Sequence, residues 1–438
     1  MNQPRSRGRW FRALAGLAAP GLVVLLGATA RSDRGLRPRL EAEAIEYVRL
    51  AVALGERDPD SLDFYVGSPE LVRDVRADPP PLRSIKRSAE AAISRLAAHR
   101  VADGERLRQQ QLLHQLAALT ARASLLLGDR PPYDVESRAL FGVAPGPPAD
   151  RHFARIRAGI DALIPGPGPL VDRLADYESR FVVPPERLPA VFEQALAECR
   201  RRTLENVQLP SDAGVTTEFV GNKPWAAYSR YLGGGRSIVS LNTDFRFTID
   251  RLLETACHEA YPGHHLRNTL VDDILQGRRL PEFTVQPLFS PRTLLAEGSA
   301  MYAAALAFSD DERAAFERDQ LFPAAGIAGD AKTYVRVAQL VEELQDVQVH
   351  IARQYLDGEL EFARASAALE EQALMRDTGA MLKYINEYRT YVTAYTLGRQ
   401  AAKTFVDACA AGSGDRDRRW KCFERLLTAD ISDRQDVQ

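Results

Sequence analysis

The sequence predicts a mainly α-helical fold, with a small antiparallel β-sheet beside a metal-binding helix. Three observations point there. Long segments rich in Ala, Leu, Glu and Arg repeat apolar residues every three or four positions. Short strand-like runs occur at Val215–Val220 and Ser237–Leu241. Three of the seven histidines fall within the eight residues 258–265, at the end of one helical segment.

The chain opens on a targeting pattern. Arg5, Arg7, Arg9 and Arg12 precede an apolar run from Ala13 to Ala30 that ends Gly27-Ala28-Thr29-Ala30. A basic start, an apolar middle and small residues at a cleavage point describe a secretory signal over residues 1–30. Its removal takes four Arg and no acid, moving the formal charge from −2 to −6. A retained anchor is the competing reading, since the run is nearly long enough to span a bilayer. In that case membrane contact is confined to this segment. No cysteine follows the run, so a lipid-modified N-terminus is not expected. Export is the expectation.

Residues 31–205 read as an N-terminal helical part. Leu40–Leu54 and Ser84–Leu127 carry helical apolar spacing, with Ile93, Leu96, Leu112, Leu116 and Leu119 as candidate core. Pro131-Pro132, Pro145-Gly146-Pro147-Pro148 and Pro165-Gly166-Pro167-Gly168-Pro169 turn the chain between helices within one body. Leu188–Leu204 forms a further helix after Pro184-Pro185.

Residues 206–438 hold the metal-site part, continuous with the preceding one. Trp225, Tyr228, Tyr231 and Gly233-Gly234-Gly235 separate the two strand-like runs. The three glycines read as a turn, because no Lys-Ser/Thr follows to complete a phosphate cradle. The run 237–241 stands just before the metal helix. It is a candidate edge strand for an extended peptide, with ordinary strand pairing as the equal alternative.

Thr248–Ala260 reads as the metal helix, with Ile249, Leu252, Leu253 and Ala256 as its apolar stripe. It runs into Cys257-His258-Glu259-Ala260-Tyr261-Pro262-Gly263-His264-His265. The familiar H-E-x-x-H pattern puts its second histidine four residues after the first; here that position is Pro262. On an unbroken helix His264 would sit ~120° round from His258, and His265 ~10.5 Å further along the axis. Pro262 ends the helix, and Gly263 permits backbone angles that fold the chain back. His264 needs the smaller displacement and is the favoured second ligand, with His265 behind it or on substrate. The competing reading is a helix C-terminus whose histidines meet the last carbonyls.

A third ligand comes from the apolar run Leu294–Ala303, where Glu297 is the one carboxylate. A charge in such a run is costly unless paired or bound to metal. Two His, one Glu and an open position describe a catalytic zinc site. Glu259 is then the general base. Further on, Ala331–Leu356 and Glu359–Met375 read as helices. Tyr384, Tyr388, Tyr391 and Tyr395 share one helical face. A phenol there can donate to a developing oxyanion. Arg389 and Arg399 are candidates for a peptide carboxylate. His99, His114 and His350 receive no role. Cys409 and Cys422 flank a Gly-Ser-Gly loop and can pair outside the cytoplasm, whereas Cys257 reads as a buried thiol.

The run H-E-A-Y-P-G-H-H, followed some thirty residues on by E-G-S-A-M-Y-A, resembles the bacterial domain of unknown function family numbered 885. Its members carry H-E-x-x-P-G-H-H and then a segment like E-G-W-A-L-Y, and are similar to zinc peptidases of the gluzincin type. Gly235–Thr243 and Tyr395–Gly398 are further local matches, and the likeness extends over most of the chain from about residue 40. The resemblance implies a helical metallopeptidase fold, Zn2+ as cofactor and a peptide as substrate. It also places Tyr395 at the family's Y-x-x-G position, the one taken as oxyanion donor. Two departures stand out. Ser299 replaces a common Trp, which would enlarge a pocket wall, and residues 387–391 replace a Pro-Gly-Gln-containing run, leaving the C-terminal part of the site open.

A 45% hydrophobic fraction, 26% charged residues and near-neutral balance describe a globular chain with a substantial core. No basic stripe with interleaved aromatics appears, so nucleic acid is not an expected partner. Oligomeric state leaves no trace in the sequence. The favoured reading is an exported zinc peptidase. A metal-dependent hydrolase of a non-peptide amide or ester, and a helical envelope protein with a non-catalytic metal site, stay open beside it.

Overall fold

A computed structural model describes residues 26–429, apart from 224, 279 and 413. The four arginines of the expected signal and its apolar run as far as residue 25 lie outside the described residues. Among the described residues, no helix is long and apolar enough to cross a membrane.

The fold is mainly helical, as the periodicity predicts. Before residue 205 the chain forms α1 (Leu26–Arg57), α2 (Pro69–Ala77), α3 (Leu82–Ala98), α4 (Arg106–Leu126), α5 (Tyr133–Phe141), α6 (Asp150–Leu163), α7 (Leu170–Ser179) and α8 (Leu188–Leu204). The long segment expected over 84–127 is two helices. The chain leaves α3 in extended conformation at His99, and a 3-10 turn over Asp103–Glu105 starts α4. The proline-rich stretches do act as breaks, lying between α4 and α5, α5 and α6, and α6 and α7.

Beyond α8 come α9 (Ile249–Glu259), α10 (His264–Arg278), α11 (Pro291–Ala307), α12 (Asp310–Phe316), α13 (Phe322–Ala325) and α14 (Ala331–Leu356). These are followed by α15 (Phe362–Ala373), α16 (Thr378–Tyr388), α17 (Val392–Cys409) and α18 (Arg416–Leu427). Local chemistry sets several starts. Ser309 and Glu312 form a reciprocal capping box on α12, and Asp330 accepts from the Lys332 and Thr333 N–H groups at the start of α14.

The sheet near the site differs from expectation. Its strands are β2 (Gly214–Val220), β3 (Ala227–Gly233) and β4 (Arg236–Asn242), with β1 (Leu62–Tyr65) and β5 (Val285–Pro287) forming a separate antiparallel pair. The order is β2-β4-β3, with β2 parallel and β3 antiparallel to β4, so this sheet is mixed. The Tyr228 region, read as a spacer, is itself a strand. The three glycines make the β3–β4 turn with φ of 82°, 59° and 68°, angles that side chains resist. Because β4 is paired on both sides, it offers no edge to a substrate.

Burial follows the helical stripes. The largest apolar cluster joins α8, α9, α11, α17 and α18 through residues such as Phe192, Leu252, Ala303, Val406 and Phe423. A second cluster binds α6, α7 and α14 to α16, and a third holds α1, α3 and α4 together. Within this body α11 lies directly on α17. A Cβ added at Gly298 would stand 2.3 Å from the Gly398 carbonyl oxygen.

All four cysteines are paired. Cys409–Cys422 joins α17 to α18, and Cys199–Cys257 joins α8 to α9. The second pair corrects the reading of Cys257 as a free buried thiol. Its partner is 58 residues away in sequence, a distance across which no spacing rule operates.

Candidate metal centre

Helix α9 ends at Glu259, and Tyr261-Pro262-Gly263 carries the chain round into α10, whose first residue is His264. The Tyr261–Pro262 peptide bond is cis. Gly263 packs onto the end of α9, its N–H donating to the Cys257 carbonyl over 3.0 Å. A Cβ at Gly263 would fall 1.9 Å from the His258 carbonyl oxygen, so only glycine fits there.

This turn brings the last turn of one helix against the first turn of the next. The His258 and His264 Nε2 atoms are 3.1 Å apart. Glu297, from the middle of α11, places Oε2 3.4 Å from the first and 3.7 Å from the second. The three side chains are the one group of metal-ligating type found among the described residues, with ligand atoms within 4.8 Å of one another.

These distances fit a cation. Zinc–ligand bonds of about 2.0–2.1 Å in tetrahedral arrangement separate ligand atoms by roughly 3.3 Å. The Glu297 Oε2 atom is buried with no hydrogen-bond donor among the described residues, a costly state for a carboxylate oxygen unless a cation completes it. Its other oxygen, Oε1, accepts from the Tyr391 hydroxyl at 2.9 Å.

The electrostatics follow from this crowding. Burial raises the Glu297 carboxyl, but the two imidazoles outweigh it and hold the group well below the usual range. Burial likewise lowers His264, and the facing Glu297 carboxylate reverses the sign, leaving the imidazole raised. Glu259 is pushed up to about 7, mainly by burial, with His258 opposing and Glu297 and Asp63 adding. The Ser229 backbone N–H on β3 also faces it and favours its charged form.

His265 is elsewhere. Its ring is fully buried against Tyr261, with Nδ1 2.8 Å from the Ser237 hydroxyl on β4. Burial, with Arg200 nearby, lowers it to about 4, so the ring is a neutral packing element.

The tyrosines do not share one continuous helix. The chain breaks between α16 and α17 at Arg389, which has φ of 53°. Tyr391, at the end of the 3-10 turn Arg389–Tyr391 that leads into α17, and Tyr395, in the first turn of α17, have ring centroids 5.4 Å apart. The Tyr395 phenol lies within electrostatic reach of Tyr384, Glu297 and Glu259. Tyr391, named in the sequence only as one of the cluster, is the residue that holds Glu297.

Neither candidate arginine is open to a substrate carboxylate. Arg389 donates to the buried Glu136 at 2.7 Å, and Arg399 pairs with Glu342 and Asp346, each at 3.2 Å. Ser299 is fully buried and donates to the Ala296 carbonyl, so it lines no opening.

A carboxylate from the N-terminal half joins the site. Asp63 on β1 lies within electrostatic reach of His264, Glu297 and Glu259, and burial pushes it up to about 6. The Tyr228 hydroxyl donates to its Oδ1 at 3.0 Å. A single acid within Leu62-Asp63-Phe64-Tyr65 was the one available signal, and it is weak by itself.

No family profile and no curated protein matches the sequence. The resemblance to the family numbered 885 is therefore carried by the local motifs. Solved structures similar to this chain include a candidate lipoprotein from Colwellia psychrerythraea, with TM-score 0.48 and 15% identity, over 78% of this chain and 70% of that one. An M32 carboxypeptidase from Deinococcus radiodurans R1 aligns with TM-score 0.45 and 15% identity, over 91% and 90%. A candidate lipoprotein of unknown function from Shewanella oneidensis aligns with TM-score 0.46 and 12% identity, over 82% and 76%.

Proposed function

We propose that this protein is an exported, zinc-dependent peptidase. The observation that carries the reading is the convergence of His258 Nε2, His264 Nε2 and the donor-free Glu297 Oε2, with Glu259 adjacent. His258, His264 and Glu297 would hold the ion. Zinc in such a site supplies Lewis acidity, acidifying water and polarising a carbonyl.

The remaining chemistry belongs to the chain. Glu259 is raised to about 7 and suits proton transfer near neutrality. Its carboxylate takes the proton of the attacking water and delivers it to the leaving amine. Tyr395, within electrostatic reach of Glu259 and Glu297, stays protonated at working pH and donates to the tetrahedral oxyanion.

The edge that suits an extended peptide is β3. Ala226 gives its carbonyl to the Asn242 N–H at 2.8 Å, so ladder parity turns the N–H and C=O groups of Ala227 and Ser229 away from β4. That free edge runs beside Glu259, where a substrate strand can pair with it. Two disulfides support an oxidising compartment, in keeping with the basic and apolar N-terminal residues.

The test combines metal analysis with a peptide panel. One zinc per chain is expected, reduced in His258→Ala, and Glu259→Gln should keep the zinc while losing on the order of 100- to 10,000-fold in turnover. Full activity in Glu259→Gln would remove the mechanism. Hydrolysis of esters or non-peptide amides alone would reassign the substrate class.

A further inference from the structure

The walls of the proposed site are unevenly charged. Glu259, Glu297 and Asp63 are all carboxylates, while the two arginines nearest in sequence to the tyrosine cluster are neutralised by Glu136 and by Glu342 with Asp346. Glu297 is committed to the imidazoles and Tyr391, and Glu259 to proton transfer. Asp63 is left over.

Two contacts position Asp63. The β1–β5 pairing carries the strand on which it sits, with Leu62 opposite Pro287 and Phe64 opposite Gln286. The Tyr228 hydroxyl reaches both the Asp63 backbone carbonyl and Oδ1, each at 3.0 Å. Tyr228 immediately precedes Ser229, whose N–H faces Glu259, so the Asp63–Tyr228 pair stands at the same end of β3 as the proposed base. No ion pair joins Asp63 to a Lys or Arg among the described residues, and the Tyr228 hydroxyl holds one of its two carboxylate oxygens. A largely buried carboxylate with one neutral donor has capacity for a cation, and a charge-assisted hydrogen bond is the strong form of that contact.

We propose that Asp63, oriented by Tyr228, receives the α-ammonium group of a peptide's first residue, making the enzyme an exopeptidase that works from the N-terminus. This rests on the peptidase reading above. The chemistry recognised is an ammonium, and a substrate lysine side chain is its other source. The α-ammonium is separated from the scissile carbonyl by one carbon atom, so it lies within the same confined set of groups that includes Glu259 and Asp63. Asp63 is thus a specificity-determining residue, and it takes no part in proton transfer.

The experiment uses the zinc-loaded full chain with one short lysine-free peptide in three forms, free at both ends, N-acetylated and C-amidated, and a fourth, N-acetylated peptide carrying an internal lysine. Free-amine peptides should exceed the N-acetylated one by about 10- to 100-fold in kcat/KM, while C-amidation changes little. Asp63→Asn should raise KM for free-amine peptides with a smaller change in kcat, and narrow the ratio of kcat/KM between free-amine and N-acetylated peptides towards one. Tyr228→Phe should give a partial loss of the same preference and serves if Asp63→Asn fails to fold. Equal cleavage of free and N-acetylated peptides would overturn the subsite while leaving the peptidase reading intact, and rescue by internal lysine alone would transfer it to side-chain recognition and overturn the exopeptidase claim. If no peptide is cleaved, calorimetry with alanylalanine amide and its N-acetyl form decides: tighter binding of the free amine, lost in Asp63→Asn, supports the subsite, and equal binding rejects it.

Discussion

Tyr391 donates its hydroxyl to Glu297 Oε1 across 2.9 Å, while Glu297 Oε2 faces His258 and His264. One carboxylate is thus held on one oxygen by the residue that caps α17 and turned towards two imidazoles with the other. An outer partner of this kind fixes a ligand's direction before a metal arrives.

Tyr391→Phe removes that hold without changing shape. Zinc affinity should fall about 10- to 100-fold, measured by competition with a chelating dye. Unchanged affinity would show that α11 alone positions Glu297.

The approach of α17 to α11 depends on the contact between Gly298 and Gly398. A Cβ on Gly398 would meet the Leu294 carbonyl oxygen at 2.6 Å, a backbone atom with little freedom to yield. Gly398→Ala should cost about 1–3 kcal/mol of stability in a denaturant titration and lower zinc affinity with it, since Tyr391 and Glu297 move apart together. A stable variant with native affinity would contradict this.

The metal-free protein should respond to pH through His264 and Glu297. Glu297 is lowered from 4.5 when folded, so its contribution is present above 4.5 and lost as pH falls through the folded value. His264 is raised from 6.5, so its contribution is complete below 6.5 and lost as pH rises through the folded value. Their mutual stabilisation therefore peaks between 4.5 and 6.5. Zinc affinity runs the other way, because the proton on His264 must leave, and should still be climbing above 6.5. Thermal melts with and without zinc across this range check both slopes. A zinc-induced shift in Tm independent of pH would argue against His264 as ligand.

Cys199–Cys257 ties α8 to the residue immediately before His258. Replacing both by Ser should cost about 2–4 kcal/mol by freeing the unfolded chain. Zinc affinity should fall as well, because the end of α9 loses its tether. Loss of stability with native zinc affinity would make the bond purely a fold element.

Local signals carried much of this protein. Apolar spacing delivered helices such as Leu188–Leu204 and Ala331–Leu356 at their observed bounds, because a buried stripe on a helix repeats within a few residues. Pro262-Gly263 announced the break that sets His264 against His258, since ring clash and glycine freedom are properties of neighbouring residues. The lone carboxylate of an apolar run marked Glu297.

What required the folded chain lies at long sequence separation. The pairing of β3 and β2 onto either side of β4, which makes β3 an edge and β4 the centre, depends on which strands meet, and alternation within one strand does not encode its neighbours. The same holds for Cys199 with Cys257, Tyr391 with Glu297, the neutralisation of Arg389 by Glu136, and the arrival of Asp63 from the N-terminal half. Helix-forming residues report on their own turn of chain. Contacts across 58 to 253 residues are set by how whole helices pack, and only the tertiary structure decides them.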